Sequence, residues 1–173
     1  MAIKINDIPP EGLTLELGHN DKLDLFDSGT ASTAFSSVLK IKPTGREHFH
    51  IEGSVQADTV LECSRCLNNF PYHIDTELSI DLAPANTLGT AHEHELGRSE
   101  LDMEFYQGDE IEPLAFVKEQ ILITIPMVPL HHPDCKGLCP ICGKDLNEAD
   151  CGCRKDGPGE FRAFSALKDI LKK

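Results

Sequence analysis

Seven cysteines in 173 residues, five of them between Cys135 and Cys153, limit what this chain can become more than any other feature. An odd number cannot pair completely as disulfides within one chain. The run Cys139-Pro140-Ile141-Cys142-Gly143 has the outline of a metal knuckle. Thiolates two residues apart can bite one ion, and the glycine lets backbone amides turn toward the sulfurs. With Cys151 and Cys153 the pair can close a tetrahedron of four soft, charged ligands, a donor set that favours zinc. The segment has too few apolar residues to fold by burial, so the ion has to supply the free energy. Structural zinc gives roughly 10–16 kcal/mol in small peptides.

Cys63-Ser64-Arg65-Cys66 stands far upstream and leaves a second ion half-ligated. Cys135, left over from the first set, completes it together with His131 or His132 just before it; two sites with eight ligands result. In the alternative partition the two CxxC pairs share one ion and strand the remaining cysteines. A redox role for Cys63 needs a helix N-terminus inside a βαβ unit, and its flanks read as strands. An iron–sulfur cluster is chemically open to the same thiolates. Catalytic zinc needs an open coordination position with a base beside it, and His131-His132 serve equally well as a turn before a ligand. His92 and His94 read as solvated. No Ser/His/Asp grouping, phosphate-cradling glycine loop or carboxylate pair is visible. The expectation is a zinc-binding protein that is not an enzyme and takes no small-molecule substrate; a zinc-dependent or thiol-redox enzyme is the competing class.

Outside the cysteines the dominant period is two. Tyr72, Ile74, Thr76, Leu78, Ile80 and Leu82 share one face, with His73, Asp75, Glu77, Ser79 and Asp81 opposite. Phe49, Ile51, Gly53 and Val55 alternate in the same way, followed by a short turn near Asp58 and an extended run from Thr59 to Cys63. A further strand covers Val38 to Lys42, closed by Pro43-Thr44-Gly45. Strands are also predicted at Ile3–Ile5, Leu13–Leu17 and Leu101–Tyr106. A helix opens at Glu112-Pro113-Leu114, with a stripe of Leu114, Val117, Ile121 and Ile125, and stops at Pro126. Phe161, Phe164, Leu167 and Leu171 give a second, C-terminal helix its apolar seam. The predicted class is α+β: an antiparallel β-sheet meander, or a barrel-like closure of it, with two helices and a zinc-binding C-terminal segment. Residues 1–130 form the sheet domain with one helix; residues 131–173 form the cysteine-rich tail and the last helix.

Net charge is −13 and unevenly placed. Between Ala91 and Glu112 eight acidic residues face Arg98 alone, so Ala85 to Glu100 reads as the core of an acidic loop. From His131 onward Lys/Arg and Asp/Glu nearly balance. Such a chain repels a phosphate backbone at long range, which argues against a general nucleic-acid binder and leaves only the last quarter electrostatically permissive. No secretory signal precedes Ile8-Pro9-Pro10, and Ile121 to Leu130, with two prolines, is too short to span a bilayer. A cytoplasmic protein without membrane attachment is expected.

Leu61-Glu62-Cys63-Ser64-Arg65-Cys66-Leu67, followed by Phe70, resembles the body motif of the YceD family, the bacterial large ribosomal RNA subunit accumulation proteins. Ile125 to Leu130, the cysteine run from Cys135 to Cys153, and the closing Phe161 and Phe164-Ser165-Ala166-Leu167-Lys168 resemble the family's C-terminal signature. The likeness runs over about residues 35 to 173. It implies a part in producing, processing or stabilising large-subunit ribosomal RNA, with relatives in bacteria and plastids, some of which lack most of the tail cysteines. A ribosomal protein or pre-ribosomal particle is the expected partner, the acidic loop suiting a Lys/Arg-rich protein. Ribosomal RNA is a second candidate, through Lys136, Lys144, Arg154, Lys155 and Arg162.

Overall fold

A computed structural model describes residues 2–18, 23–25, 32–85 and 103–153. The strands are β1 (Ile3–Lys4), β2 (Leu13–Gly18), β3 (Leu23–Asp24), β4 (Ser32–Gly45), β5 (His48–Glu62), β6 (Asn69–Pro84), β7 (Met103–Tyr106) and β8 (Glu110–Ile111). The helix α1 (Pro113–Thr124) follows. Three long strands dominate because their alternation is long and unbroken. Leu39 and Ile41 from β4, Ile51 and Val55 from β5, and Ile74, Leu78 and Leu82 from β6 all point inward and are buried. Each such side chain contributes about 1.5–3 kcal/mol by leaving water.

The hydrogen-bonded order is β2-β4-β5-β6-β7, with β3 also on β4 and β1 paired with β8 as a separate ladder. β4, β5 and β6 pair antiparallel in chain order. β7, by contrast, lies parallel to β6, with Asp81 opposite Met103. An all-antiparallel meander is therefore not what forms. The long connection between β6 and β7 has the dozen or more residues that a parallel return requires. No barrel closes among the described residues: β2 and β7 end the path without pairing to each other.

Other expectations also change. No turn occurs near Asp58; β5 continues through it, with Asp58 opposite His73 and their side chains 2.8 Å apart on the solvent face. The N-terminal strand is two residues long and passes into a 3-10 turn, Ile5–Asp7. The helix has Pro113 in its first turn and buries Pro113, Val117 and Ile121, whereas Leu114 and Ile125 are only partly buried. Gln120 Nε2 donates to Thr76 Oγ1 (3.1 Å) and to the Glu77 carbonyl (3.0 Å), which seats α1 on the inner face of β6. The second predicted helix, the acidic stretch from 86 to 100, and residues 101 and 102 of the predicted seventh strand lie outside the described residues. Among the described residues, no helix is long and apolar enough to cross a membrane.

Gly53 pairs with Leu39 on one side and Leu78 on the other, in the middle of the sheet. A Cβ there would sit 2.1 Å from the Val38 carbonyl oxygen and 3.0 Å from Leu39 Cα. Backbone atoms cannot yield as a flexible side chain does, so β4 would have to separate from β5. Gly53→Ala is expected to destabilise the fold by about 2 kcal/mol or more. An unchanged urea midpoint would exclude this close approach.

Candidate metal centre

At the far end of the sheet, β5 and β6 are joined by Cys63-Ser64-Arg65-Cys66-Leu67-Asn68, and the chain leaving α1 returns to this turn. Ser64 N donates to the Pro129 carbonyl (2.9 Å) and Leu138 N to the Arg65 carbonyl (3.1 Å). Arg65 Nη1 donates to the Cys135 carbonyl (2.8 Å). These bonds bring His131 and Cys135 over the first cysteine pair. Cys63, Cys66 and Cys135 are buried there with Phe70, Leu130 and Leu138, a cluster separate from the sheet core.

Both cysteine turns have one backbone design. Cys63 N donates to the Asn68 carbonyl (3.0 Å), and Cys63 O accepts from Leu67 N (2.9 Å). In the second turn Cys139 N donates to the Lys144 carbonyl (2.8 Å), and Cys139 O accepts from Gly143 N (2.9 Å). The residue after the second cysteine is left-handed in both, Leu67 at φ 61° and Gly143 at φ 73°. The first turn is thus a knuckle that the sequence concealed, because leucine stands where glycine is the usual signal.

The ligand atoms gather into two groups. Cys63, Cys66, His131 and Cys135 form one, and Cys139, Cys142, Cys151 and Cys153 the other; within each, all donor atoms lie within 4.8 Å of one another. Each CxxC pair belongs to its own group, so the shared-ion partition does not form. His131, not His132, completes the first group: its Nδ1 lies 3.3 Å from Cys66 Sγ and 3.4 Å from Cys63 Sγ. His132 Nδ1 instead accepts from Asp134 N (3.2 Å). His92 and His94 lie outside the described residues.

These distances suit coordination rather than disulfides. An ion about 2.3 Å from each sulfur in a tetrahedron holds the sulfurs about 3.8 Å apart. Cys63 Sγ and Cys135 Sγ are 3.8 Å apart, far beyond the roughly 2.05 Å of a disulfide, and all seven cysteines are free thiols. Either group can hold a metal ion.

The electrostatics favour the same chemistry. Burial acts to raise the Cys63 thiol, but its contacts with His131 and the backbone amides of Cys66 and Arg65 outweigh it and bring it to about 5. Burial, with Cys63 and Cys135 beside it, pushes Cys66 up to about 11. In the second group the amides of Cys142 and Ile141 lower Cys139 to about 6. Hydrogen bonds with Cys142 and Cys151 push Cys153 up to about 12. In each group one sulfur ionises readily while another, Cys66 or Cys153, resists, so a cation is needed to hold both as thiolates. A lowered thiol also suits redox exchange, and here Cys63 is fully buried.

The sequence reading assigned no role to Asn147. Its Nδ2 donates to Cys135 Sγ (3.4 Å) and its Oδ1 accepts from Lys136 N (2.8 Å). The sequence signal was slight: Asp145-Leu146-Asn147 reads as an ordinary polar turn.

A family model, Large ribosomal RNA subunit accumulation protein YceD, matches residues 51–171, a span that includes every ligand of both groups. The chain belongs to the YceD family. An uncharacterised protein of Mycobacterium tuberculosis is 33% identical over 101 residues, covering 56% of this chain and 44% of its own length. The Large ribosomal RNA subunit accumulation protein YceD of Haemophilus influenzae is 31% identical over 81 residues, 47% of this chain and 44% of its own. The chloroplastic YCED homolog 1 of Zea mays is 27% identical over 171 residues, 85% of this chain and 57% of its own. The chain spans about half the length of the curated relatives it matches. No solved structure matches it.

Loading these YceD-family clusters should displace protons. At pH 7 Cys66 and Cys153 are neutral without metal, since their values lie near 11 and 12. Coordination requires thiolates, so each site releases at least its high-pKa proton, and affinity rises with pH below those values and weakens as pH falls. Zinc titration calorimetry in two buffers of different ionisation enthalpy measures the proton count. Buffer-independent heats would contradict it.

Proposed function

We propose that this chain is a non-enzymatic, zinc-stabilised adaptor in the biogenesis of the large ribosomal subunit, supporting the synthesis, processing or stability of its RNA. The observation that carries this is the family match across both ligand groups. Zinc is the metal best suited to one three-sulfur, one-nitrogen set and one four-sulfur set, because it accepts tetrahedral thiolate and imidazole ligands without redox change. Four protein ligands per ion leave no open position for a substrate or an activated water, which supports an adaptor over a zinc-dependent enzyme.

A basic ribosomal protein, or a pre-ribosomal particle presenting one, suits the surface better than naked RNA. The open face of the sheet carries Glu52, Asp58, Asp75, Glu77 and Asp81, of which Glu52 pairs with Lys42, Asp58 with His73 and Asp81 with His50; the sequence adds a further acidic run from Glu93 to Glu104. Charge complementarity of this kind steers association and fades with salt. Lys136 and Lys144, with Arg154, Lys155 and Arg162, are the group through which RNA contact would be local.

Purified protein is expected to hold two zinc ions per chain, and Cys63→Ser to hold one. Less than one ion in the unaltered chain would remove the zinc part of the proposal. In cells lacking the protein, large-subunit ribosomal RNA should fall relative to small-subunit RNA and recover when the gene is restored. An unchanged ratio would exclude the ribosomal role. Neutralising Glu93, Glu95, Glu100, Asp102 and Glu104 should weaken low-salt capture of a basic ribosomal protein, and undiminished capture would remove that stretch as the docking element. RNA contact through the tail would show as affinity falling steeply with salt.

A further inference from the structure

Asn147 lies between Cys142 and Cys151, two ligands of the second cluster, yet its side chain reaches the first. Both of its donor hydrogens and its oxygen are engaged. One Nδ2 hydrogen goes to Cys135 Sγ (3.4 Å), the other to Asp145 Oδ1 (2.6 Å), and Oδ1 accepts from Lys136 N (2.8 Å). Asp145 is fixed in turn: its Oδ1 accepts from Asn147 N (2.8 Å) and its Oδ2 from Asn68 Nδ2 (2.8 Å). Asn68 belongs to the first knuckle, through the bond from Cys63 N to its carbonyl. Leu146 N donates to the Gly137 carbonyl (2.9 Å), and Leu138 and Asp145 form a short antiparallel bridge.

The residues between Cys142 and Cys151 are exposed or only partly buried, so hydrophobic burial does little to order them. The hydrogen bonds just named hold Asp145 to Asn147 against the first knuckle, and the bracketing cysteines, Cys142 and Cys151, tie both ends of the loop to the second cluster. Ordering a loop costs about 1–2 kcal/mol per residue, and an ion shared by its ends offsets that cost.

We propose that the two clusters are coupled through Asn147: filling the second site orders the loop that presents the asparagine N–H to Cys135, and the first site then binds its ion more tightly. An N–H donated to a coordinating sulfur draws charge from it and lowers the repulsion among three thiolates around one ion. By linkage the effect is mutual, so an ion in the first site tightens the second by the same factor. Asn147 acts here as a positioning residue for a metal ligand. This inference rests on the metal-binding reading of the two clusters proposed above.

Cobalt(II), titrated into the full-length chain against a competing chelator, tests it. Asn147→Ala should lower first-site affinity about 10-fold or more. Cys142→Ser combined with Cys151→Ser, which disables the second site, should produce a loss of similar size. Adding Asn147→Ala to that pair should cost nothing further, because the loop no longer presents the group. Asn147→Asp keeps an acceptor for Lys136 N–H but has no N–H for sulfur, and should shift the thiolate-to-cobalt charge-transfer band of the first site. A loss of loop packing alone would not move that band. Unchanged first-site affinity in Asn147→Ala, or fully additive losses, overturns the coupling while leaving two metal sites standing. A chain that takes up no cobalt overturns the metal-binding reading and the coupling with it.

Discussion

The structure depends on one convergence: three sulfurs and an imidazole, drawn from both ends of the sequence gap between Cys66 and His131, meeting at the tip of the β5–β6 hairpin. The sheet does not need this meeting, because its core of Leu39, Ile51, Val55, Ile74 and Leu82 is buried elsewhere. The tail does. Among the described residues, Phe70, Leu130 and Leu138 are what supply apolar contact around Cys63, Cys66 and Cys135, a cluster too small to hold a polar segment in place by burial. The Ser64–Pro129, Leu138–Arg65 and Arg65–Cys135 bonds register the two strands of chain against each other. Their net worth is about 1 kcal/mol each, so they align the candidate ligands, and the free energy to hold the tail would come from a bound ion.

That division of labour explains why the two knuckles share a backbone but not a sequence. The bond from the fifth residue's amide to the first cysteine's carbonyl demands a left-handed residue, and glycine meets the demand without strain at Gly143. Leu67 meets it at a cost of about 1–2 kcal/mol, tolerable where a sheet already fixes both ends of the turn. The second knuckle has no sheet beneath it, and glycine there avoids a cost that nothing else would offset.

The same distinction separates what the sequence disclosed from what it hid. The inward faces of β5 and β6 were legible because alternation over a dozen residues has no competing explanation, and α1 because proline in the first turn marks a helix start. Asp58 looked like a turn since a single polar residue was judged without its cross-strand partner, His73. β3 and β8 are too short for any period to register. The direction of β7 is set by the chain before it, not by its own residues, so its parallel pairing was invisible. At the clusters, ligand chemistry and spacing indicated which side chains could coordinate, but adjacency could not separate His131 from His132. Only the return of the chain past Pro129 makes that choice. Asn147 was hidden for a related reason: its partners, Cys135 and Asp145, become neighbours only after the loop closes.

Charge sets the final constraint on what such a chain can meet. The formal −13 counts every cysteine as neutral. Seven thiolates set against the four charges of two divalent ions make the loaded protein three charges more negative still. An ion in each group would therefore order the tail and at the same time deepen the repulsion of any polyanion. Long-range approach to RNA is opposed everywhere except where lysines adjoin the clusters, and Lys136 has its amide tied to Asn147 beside Cys135. On the proposed reading a basic protein meets no such opposition and would approach the acidic sheet face first. The lysines beside the clusters would then be the part able to reach a phosphate once a partner has brought it close.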